Sequence, residues 1–269
     1  MRAAHELFLV LMLRLAVSHA SEAQNKDRNW LTYYSGAEAN EKKSSQWTRD
    51  IWPRIAHAAD MSRTLEIAPG GGRITERLLG VMPAGSKLFG VEKNRVAVET
   101  LLRKRFAAFS ETNASSPRHA TFYVNNGSSL APIPDGSITF AISWDSMVHF
   151  APEDVAAYVL EIARVLAPGG TGFLHHSNLP QCKGNAARGR AHGADRSCGV
   201  PVKARKNPHG RNLMTCDIFA KLATAAGLQM IRSEKFLWPP EPEKHTPKQA
   251  NLISDCLSSF RKPVRSRGR

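Results

Sequence analysis

From residue 63 onward the apolar positions alternate between two periods. Short apolar runs read as strands at RTLEIAP (63–69), SKLFGVE (86–92), HATFYVN (119–125), SITFAISW (137–144) and GTGFLHH (170–176). Between them, ITERLLGV (74–81), NRVAVETLLRKRFAAF (94–109) and PEDVAAYVLEIARVLAPGG (152–170) read as helices. In the last of these Val155, Val159, Ile162 and Leu166 share one helical face, Pro152 suits the first turn, and Pro168-Gly169-Gly170 is expected to end the helix. The fourth strand is almost continuously apolar, as a strand covered on both faces should be. This alternation predicts an α/β domain, a doubly wound and mostly parallel sheet. The pattern pauses over 177–213, then resumes with a helix at CDIFAKLATAAG (216–227) and strands at LQMIRSEKF (228–236) and NLISDCLSSF (251–260).

Upstream, residues 29–60 are rich in aromatic, acidic and small polar residues, and Trp47, Ile51 and Ile55 recur at helical spacing with Trp52 beside them. A helix covering one edge or mouth of the domain is expected, although any one of these aromatics suits a plain core position better. The chain thus divides into an extension (1–28), a helical cap (29–62), the main domain (63–260) with an insertion at 177–213, and a basic tail (261–269). The insertion follows the C-terminal end of the fifth strand, beside the crevice of a doubly wound sheet, and is read as a substrate lid. In the extension, Arg2, the apolar stretch Leu7–Val17 and the small residues Ser18 and Ala20 resemble a secretory signal, whereas Arg14 interrupts the stretch. That stretch is too short to span a bilayer as a helix.

Composition changes this picture little. A hydrophobic fraction of 42% with 22% charged residues excludes a disordered chain. The net charge of +14 suggests an anionic partner, yet the excess is concentrated in 183–211 and in the tail, where it supports non-specific attraction rather than a nucleic-acid function. Cys182, Cys198, Cys216 and Cys256 have no CxxC spacing, so neither a zinc ribbon nor a redox motif is indicated. Cys182 and Cys198 with His175, His176 and His192 are too irregular to predict a metal site.

The chemistry begins at LEIAPGGGRITERLL (65–79), a strand that enters three glycines and then a helix. Such a corner brings a ligand close to the backbone and to the free N–H groups of the helix N-terminus. A phosphate-binding P-loop would end in Gly-Lys-Ser/Thr, and Arg73-Ile74 stands there instead. A dinucleotide site would prefer GxGxxG; Gly70 and Gly72 fit, but the third position is Thr75. LEIAPGGGR resembles motif I of class I S-adenosylmethionine-dependent methyltransferases, with Glu66, Gly70 and Gly72 in the acidic and glycine places and Ala68 where the first glycine is usual. Twenty residues after Gly72, Glu92 ends the second strand, where a carboxylate can accept from both ribose hydroxyls. The segment 124–150 is similar to the family's adenine loop and fourth strand, with Asn126, next to Gly127, where an aspartate is common. EIARVLAPGGTGFLHHSN (161–178) resembles the unit leading to the substrate side. EKKSSQWTRDIWPRI, HHSN and DCLSSF are similar to type 11 methyltransferases acting on small or sugar-like acceptors.

The resemblance implies a Rossmann-like methyltransferase fold with a last antiparallel strand, S-adenosylmethionine as cofactor, and Glu66, Ala68, Gly70, Gly72, Glu92, Asn126 and Gly127 around it. Methyl transfer to an alcohol oxygen benefits from positioning and from a general base. Such a base belongs at the C-terminal ends of strands four and five, which makes His149 the first candidate, then His176 and Asp145, with His209 a further candidate in the insertion. Of His175 and His176, strand alternation turns one into a packed face and the other toward the crevice. Arg188, Arg190, Arg196 and Arg211 are candidates to clamp a carboxylate or phosphate on the acceptor, although a charge-rich loop is more often simply solvated. The expected function is O-methylation of a small or sugar-like acceptor in the cytoplasm, where the donor is made, while the signal-like N-terminal segment leaves an organelle or membrane-surface location open. An RNA methyltransferase and a catalytically degenerate scaffold remain alternatives, although the Asn/Asp-Pro-Pro-aromatic signature of base methylators is missing after strand four.

Overall fold

The computed structural model describes residues 46–178, 212–237 and 254–264. The extension 1–28, most of the cap, residues 179–211 of the insertion and the end of the tail lie outside the described residues. So do His192, His209, Cys182, Cys198 and the four insertion arginines. Helix α1 opens with a π-wound turn, Trp47–Ile51, and continues as Trp52–Ile55. Then follow β1 (Arg63–Ile67), α2 (Arg73–Val81), β2 (Lys87–Glu92), α3 (Ala97–Leu102 continued by Arg103–Arg105) and β3 (His119–Val124). Beyond these come β4 (Ile138–Ser143), a 3-10 turn (Met147–His149), α4 (Pro152–Val165), β5 (Leu166–Ser177), α5 (Cys216–Ala225), β6 (Gln229–Leu237) and β7 (Ser254–Arg261).

The strands form one seven-stranded sheet in the order β3-β2-β1-β4-β5-β7-β6. β1 pairs in parallel with β2 and β4, and β4 with β5. β7 lies antiparallel between β5 and β6, so the sheet is mixed only at that end. Strand alternation sends Leu65, Ile67 and Ala141 to one face, where α4 and α5 cover them with Val155, Val159, Ile162, Phe219 and Leu222. The other face packs Leu88, Phe122, Phe140, Ile142, Phe173 and Leu257 against α1, α2 and α3. Trp47, Ile51 and Ile55 of α1 are all buried there, and Trp47 stacks on Trp52 at 5.6 Å.

One boundary departs from the apolar pattern. The helix at 152 ends at Val165, and Leu166 already has extended backbone, so Pro168-Gly169-Gly170 lies inside β5 instead of closing the helix. A register shift between the Ile138 and Phe140 pairs absorbs it, and Gly169 and Gly170 bond to Lys262 across the sheet. A side chain on Gly170 would come within 3.0 Å of Ile138 O, so this close approach excludes one. Cys216 at the start of α5 and Cys256 on β7 are disulfide-bonded, with Cα atoms 5.7 Å apart, a pairing that the spacing did not predict. Among the described residues no helix is long and apolar enough to cross a membrane, and no cluster of three or more His, Cys, Asp or Glu is placed to hold a metal ion.

Candidate active site

The glycine corner is a chain reversal in which Ala68, Gly70 and Gly72 all take left-handed backbone, at φ +55°, +58° and +87°. At Gly72 this conformation is combined with a packing limit, because a Cβ would stand 2.4 Å from the Phe106 ring. Ala68 tolerates the left-handed conformation at a cost of roughly 1–2 kcal/mol. Its N–H donates to Val91 O (2.8 Å) and its carbonyl accepts from Ser146 Oγ (3.0 Å), which ties the ends of β1, β2 and β4 together.

Two buried carboxylates brace this corner. Glu66 is 3% exposed and accepts from Thr75 Oγ1 at 2.6 Å, so it locks β1 to the first turn of α2. Burial pushes its carboxyl up to about 7, against the opposing pull of the Thr75 hydroxyl and the Arg73 charge. Glu92 accepts from Gly70 N (3.1 Å) through one oxygen and from Asn94 N (2.9 Å) through the other. Burial raises its carboxyl as well, and those N–H groups counter it. The Glu92 carboxylate therefore sits directly against the glycine corner at the crevice end of β2. A carboxylate offers about four acceptor directions. These acceptor positions fit a ligand that carries hydroxyls beside a group cradled by the corner.

After β3, Asn125 Nδ2 donates to Tyr158 Oη (2.7 Å) and Ser129 O (2.9 Å), and its Oδ1 accepts from Gly127 N (3.1 Å). Burial pushes the Tyr158 phenol up to about 12, so it stays protonated. Arg164 and Glu161 of α4 reach the same loop at Leu130 and Ile133. Asn126 itself is exposed, and its Oδ1 accepts from Ser128 N (3.0 Å) and Ser129 N (2.9 Å). The carbonyl expected to accept from an adenine amino group is thus committed to a local turn, and the side chain presents its Nδ2 donors instead. Gly127, at φ +94°, completes that turn against Lys93.

On the other side of the crevice, Asp145 follows β4 with left-handed backbone at φ +58°. Its carboxylate is 3.9 Å from Arg73 Nη2, which links it to the glycine corner. Arg73 and the Trp144 indole both donate to Gln46 Oε1 of the cap. His149 ends the 3-10 turn Met147–His149 and is exposed.

His175 and His176 point to opposite faces of β5, as alternation requires, but both are fully buried, so neither opens toward the crevice. His176 stacks on Phe219 at 4.3 Å; its Nδ1 donates to Ser177 O (2.9 Å), which leaves Nε2 to accept from Ser258 Oγ (2.9 Å). Burial pulls its imidazole down to about 3, so it is neutral, and its one lone pair is engaged. The expectation of a second base at His176 is corrected on these grounds: the side chain is core. His175 Nδ1 accepts from Asp145 N (3.1 Å), so its Nε2 carries the proton toward Asp255 Oδ2 (3.1 Å).

Sequence reasoning did not find Thr75, Asn125, Tyr158, Ser146, Asp255 or Asn212. Thr75 was visible only as a missing third glycine, while it is the hydroxyl that holds Glu66. The others meet their partners across 33 to 80 positions and leave no local signal.

The sheet order, with its single antiparallel strand beside β5, is that of the Rossmann-like methyltransferase fold. A family model described as a methyltransferase domain, type 11, matches residues 65–174. No curated protein matches the chain by sequence. Solved structures share the fold at low identity. An S-adenosylmethionine-dependent methyltransferase from Methanosarcina mazei is 19% identical, covers 80% of this chain and 99% of its own, and gives a TM-score of 0.55. The [4+2]-cyclase SpnF is 15% identical over 96% of this chain and 94% of its own (TM-score 0.58). A geranyl diphosphate methyltransferase, solved with its diphosphate substrate and sinefungin, is 13% identical over 76% and 72% (TM-score 0.52). Fold and corner are those of the class I methyltransferase fold. Over residues 65–174 this chain is similar to a methyltransferase domain, and it shares its fold with S-adenosylmethionine-dependent methyltransferases.

Proposed function

We propose that the protein methylates an alcohol oxygen of a small or sugar-like acceptor, with His149 as the general base. The reading rests on one observation. Of the acid–base candidates described at the ends of β4 and β5, His149 alone is exposed; His175 and His176 are core, and Asp145 faces Arg73. S-Adenosylmethionine, the donor on this reading, would supply an electrophilic methyl group on a sulfonium. Glu92 would hold its ribose hydroxyls and the corner 68–72 its amino-acid end, with Glu66 and Thr75 fixing the corner's shape. His149 takes the acceptor's hydroxyl proton as the carbon–oxygen bond forms. The carbon–sulfur bond would break in the same displacement and leave a neutral thioether.

The fold alone does not set this reaction, since one structure of similar fold is described as a cyclase. The anionic-ligand role of the insertion arginines is part of the proposal and lies outside the described residues. We place the enzyme in the cytoplasm, with its donor. The Cys216–Cys256 bond pulls the other way, because reducing compartments keep such pairs as thiols.

The test incubates the protein and cell-extract fractions with methyl-labelled S-adenosylmethionine and finds the labelled product by mass spectrometry. An O-methylated small molecule is expected. Label in nuclease-sensitive RNA would replace the acceptor class, and absence of donor binding by calorimetry would make the domain a scaffold. With the active fraction, His149→Gln should lower the rate roughly 10²–10⁴-fold, and Glu92→Ala should weaken donor binding while leaving the fold intact.

A further inference from the structure

The segment that carries His149 is held by a residue from the far side of the insertion. Asn212 is 8% exposed and stands where the chain returns from the insertion. Its Nδ2 donates to Met147 O and to Phe150 O, both at 2.7 Å, and its own N–H donates to Val148 O at 2.9 Å. Three carbonyls of the four-residue stretch 147–150 are therefore bound by one residue. Only the His149 carbonyl is left out of this grip. The remaining groups of Asn212 are fixed in turn. Oδ1 accepts from Met214 N (2.9 Å), and the carbonyl accepts from Ser177 Oγ (2.6 Å) at the end of β5. A second cross-tie lies alongside, where Cys216 N donates to Asn178 Oδ1 (3.2 Å). The two ends of the insertion are thus bonded to each other and, through Asn212, to the loop after β4.

We propose that Asn212 is the positioning residue for His149. This rests on the general-base reading above and adds to it the device that aims the base. A 3-10 turn of three residues has little strength of its own, because its hydrogen bonds are poorly aligned. Phe150 N reaches Met147 O at only 3.4 Å. An amide that donates to carbonyls on both sides of His149 fixes that turn, and no other uncharged side chain of this size offers two donors and an acceptor. The same grip joins the insertion root to the base, so displacement of the root moves His149.

Asn212→Asp is the sharpest test. It keeps the shape and the acceptor toward Met214 while turning a carboxylate oxygen against the Met147 and Phe150 carbonyls. With the active extract fraction as acceptor and saturating S-adenosylmethionine, the rate should fall roughly 10²-fold, the order expected when a reacting group is misplaced by about 1 Å. The dissociation constant for S-adenosylhomocysteine should stay within about twofold, which separates positioning from loss of binding. The ring C–H signal of His149, assigned by its loss in His149→Gln, should move in Asn212→Asp, while the signals of His57 and His119 stay in place. Ser177→Ala, which removes only the bond to the Asn212 carbonyl, should shift the same signal less. It also carries the test if Asn212→Asp does not fold. An unmoved His149 signal in a folded variant overturns the proposal, as does an undiminished rate. If His149→Gln retains full rate while Asn212→Asp moves the His149 signal, the general-base reading fails and the positioning stands.

Discussion

The two halves of the crevice rim are built from different kinds of bond. On the donor half, Glu66 finds Thr75 nine residues on, Glu92 finds Asn94 two residues on, and Asn126 closes a turn on Ser128 and Ser129. On the acceptor half, His175 meets Asp255 across 80 positions, His176 meets Ser258 across 82, and Asn212 meets Met147 across 65. The carboxylate and turn bonds of the donor half are mostly local, and its long ties are Ser146 Oγ to Ala68 O and Asn125 to Tyr158. The acceptor half is stitched together by β7, which partners His175 and His176, and by the insertion root, which partners Met147. Closing such long loops is slow and entropically costly. A rigid cofactor cradle is thus set beside an acceptor side whose geometry depends on distant parts of the chain.

Cutting the strongest distant tie should separate the halves most clearly. The Cys216–Cys256 bond closes a loop of 40 residues, for which loop-closure entropy gives at most about 4 kcal/mol. Cys216→Ser, or reduction of the wild-type protein, should lower stability by an amount approaching that figure in chemical denaturation. Hydrogen exchange should rise in α5, β7 and the stretch 147–150, while affinity for S-adenosylhomocysteine is held. Equal loosening of the glycine corner would erase the distinction between the halves. Recovery of the pair as free thiols from native protein would support the cytoplasmic placement.

The same division explains what could be read from the chain. The strand–glycine–helix corner, Glu92 in register and the alternation of β1 to β5 are local patterns, and each is legible in the sequence. Pro168-Gly169-Gly170 misled because local punctuation suggested a helix end, whereas pairing with β4 and Lys262 drew it into β5. His176 misled for a related reason. Alternation gives the face on which a side chain lies but not what covers it, and Phe219 covers His176 from a helix 43 positions away. Asn126 matched by position, yet its carbonyl was already engaged by the serines that follow it. The disulfide and the Asn212 grip had no short-range signature.

Within the donor half, Glu66 gives a pH signature that sharpens the contrast. Its folded carboxyl lies near 7, above its ordinary 4.5, with burial as the main cause. Between those values the folded state holds a proton that the unfolded state releases, so this group's contribution falls as pH rises from 4.5 to 7. The loss amounts to about 3 kcal/mol across the window. Glu66→Gln keeps the shape and cannot ionise, so its unfolding free energy should lack that slope. Denaturation curves of both proteins at pH 5, 6 and 7 measure it. Parallel pH dependences would mean that Glu66 is ionised throughout and that its brace to Thr75 is charged.

The smallest effect addresses the departure at Asn126. Its Oδ1 serves Ser128 N and Ser129 N, so only donors face outward. Asn126→Asp keeps both serine bonds, since a carboxylate oxygen accepts as an amide oxygen does, and the second oxygen becomes an outward acceptor. An adenine amino group gains a partner that the present side chain does not offer. A hydrogen bond to a charged acceptor is ordinarily worth roughly 1.5–3 kcal/mol, and exposure reduces it to about 1 kcal/mol here. Calorimetry should therefore find S-adenosylhomocysteine bound roughly fivefold more tightly by the variant, with the difference shrinking for an analogue whose base carries a 6-oxo group instead of the amino group. If the variant binds both nucleosides more weakly, Nδ2 is itself a donor to the base. The donor half would then read its ligand by a hydrogen bond of opposite polarity to the one its motif implies.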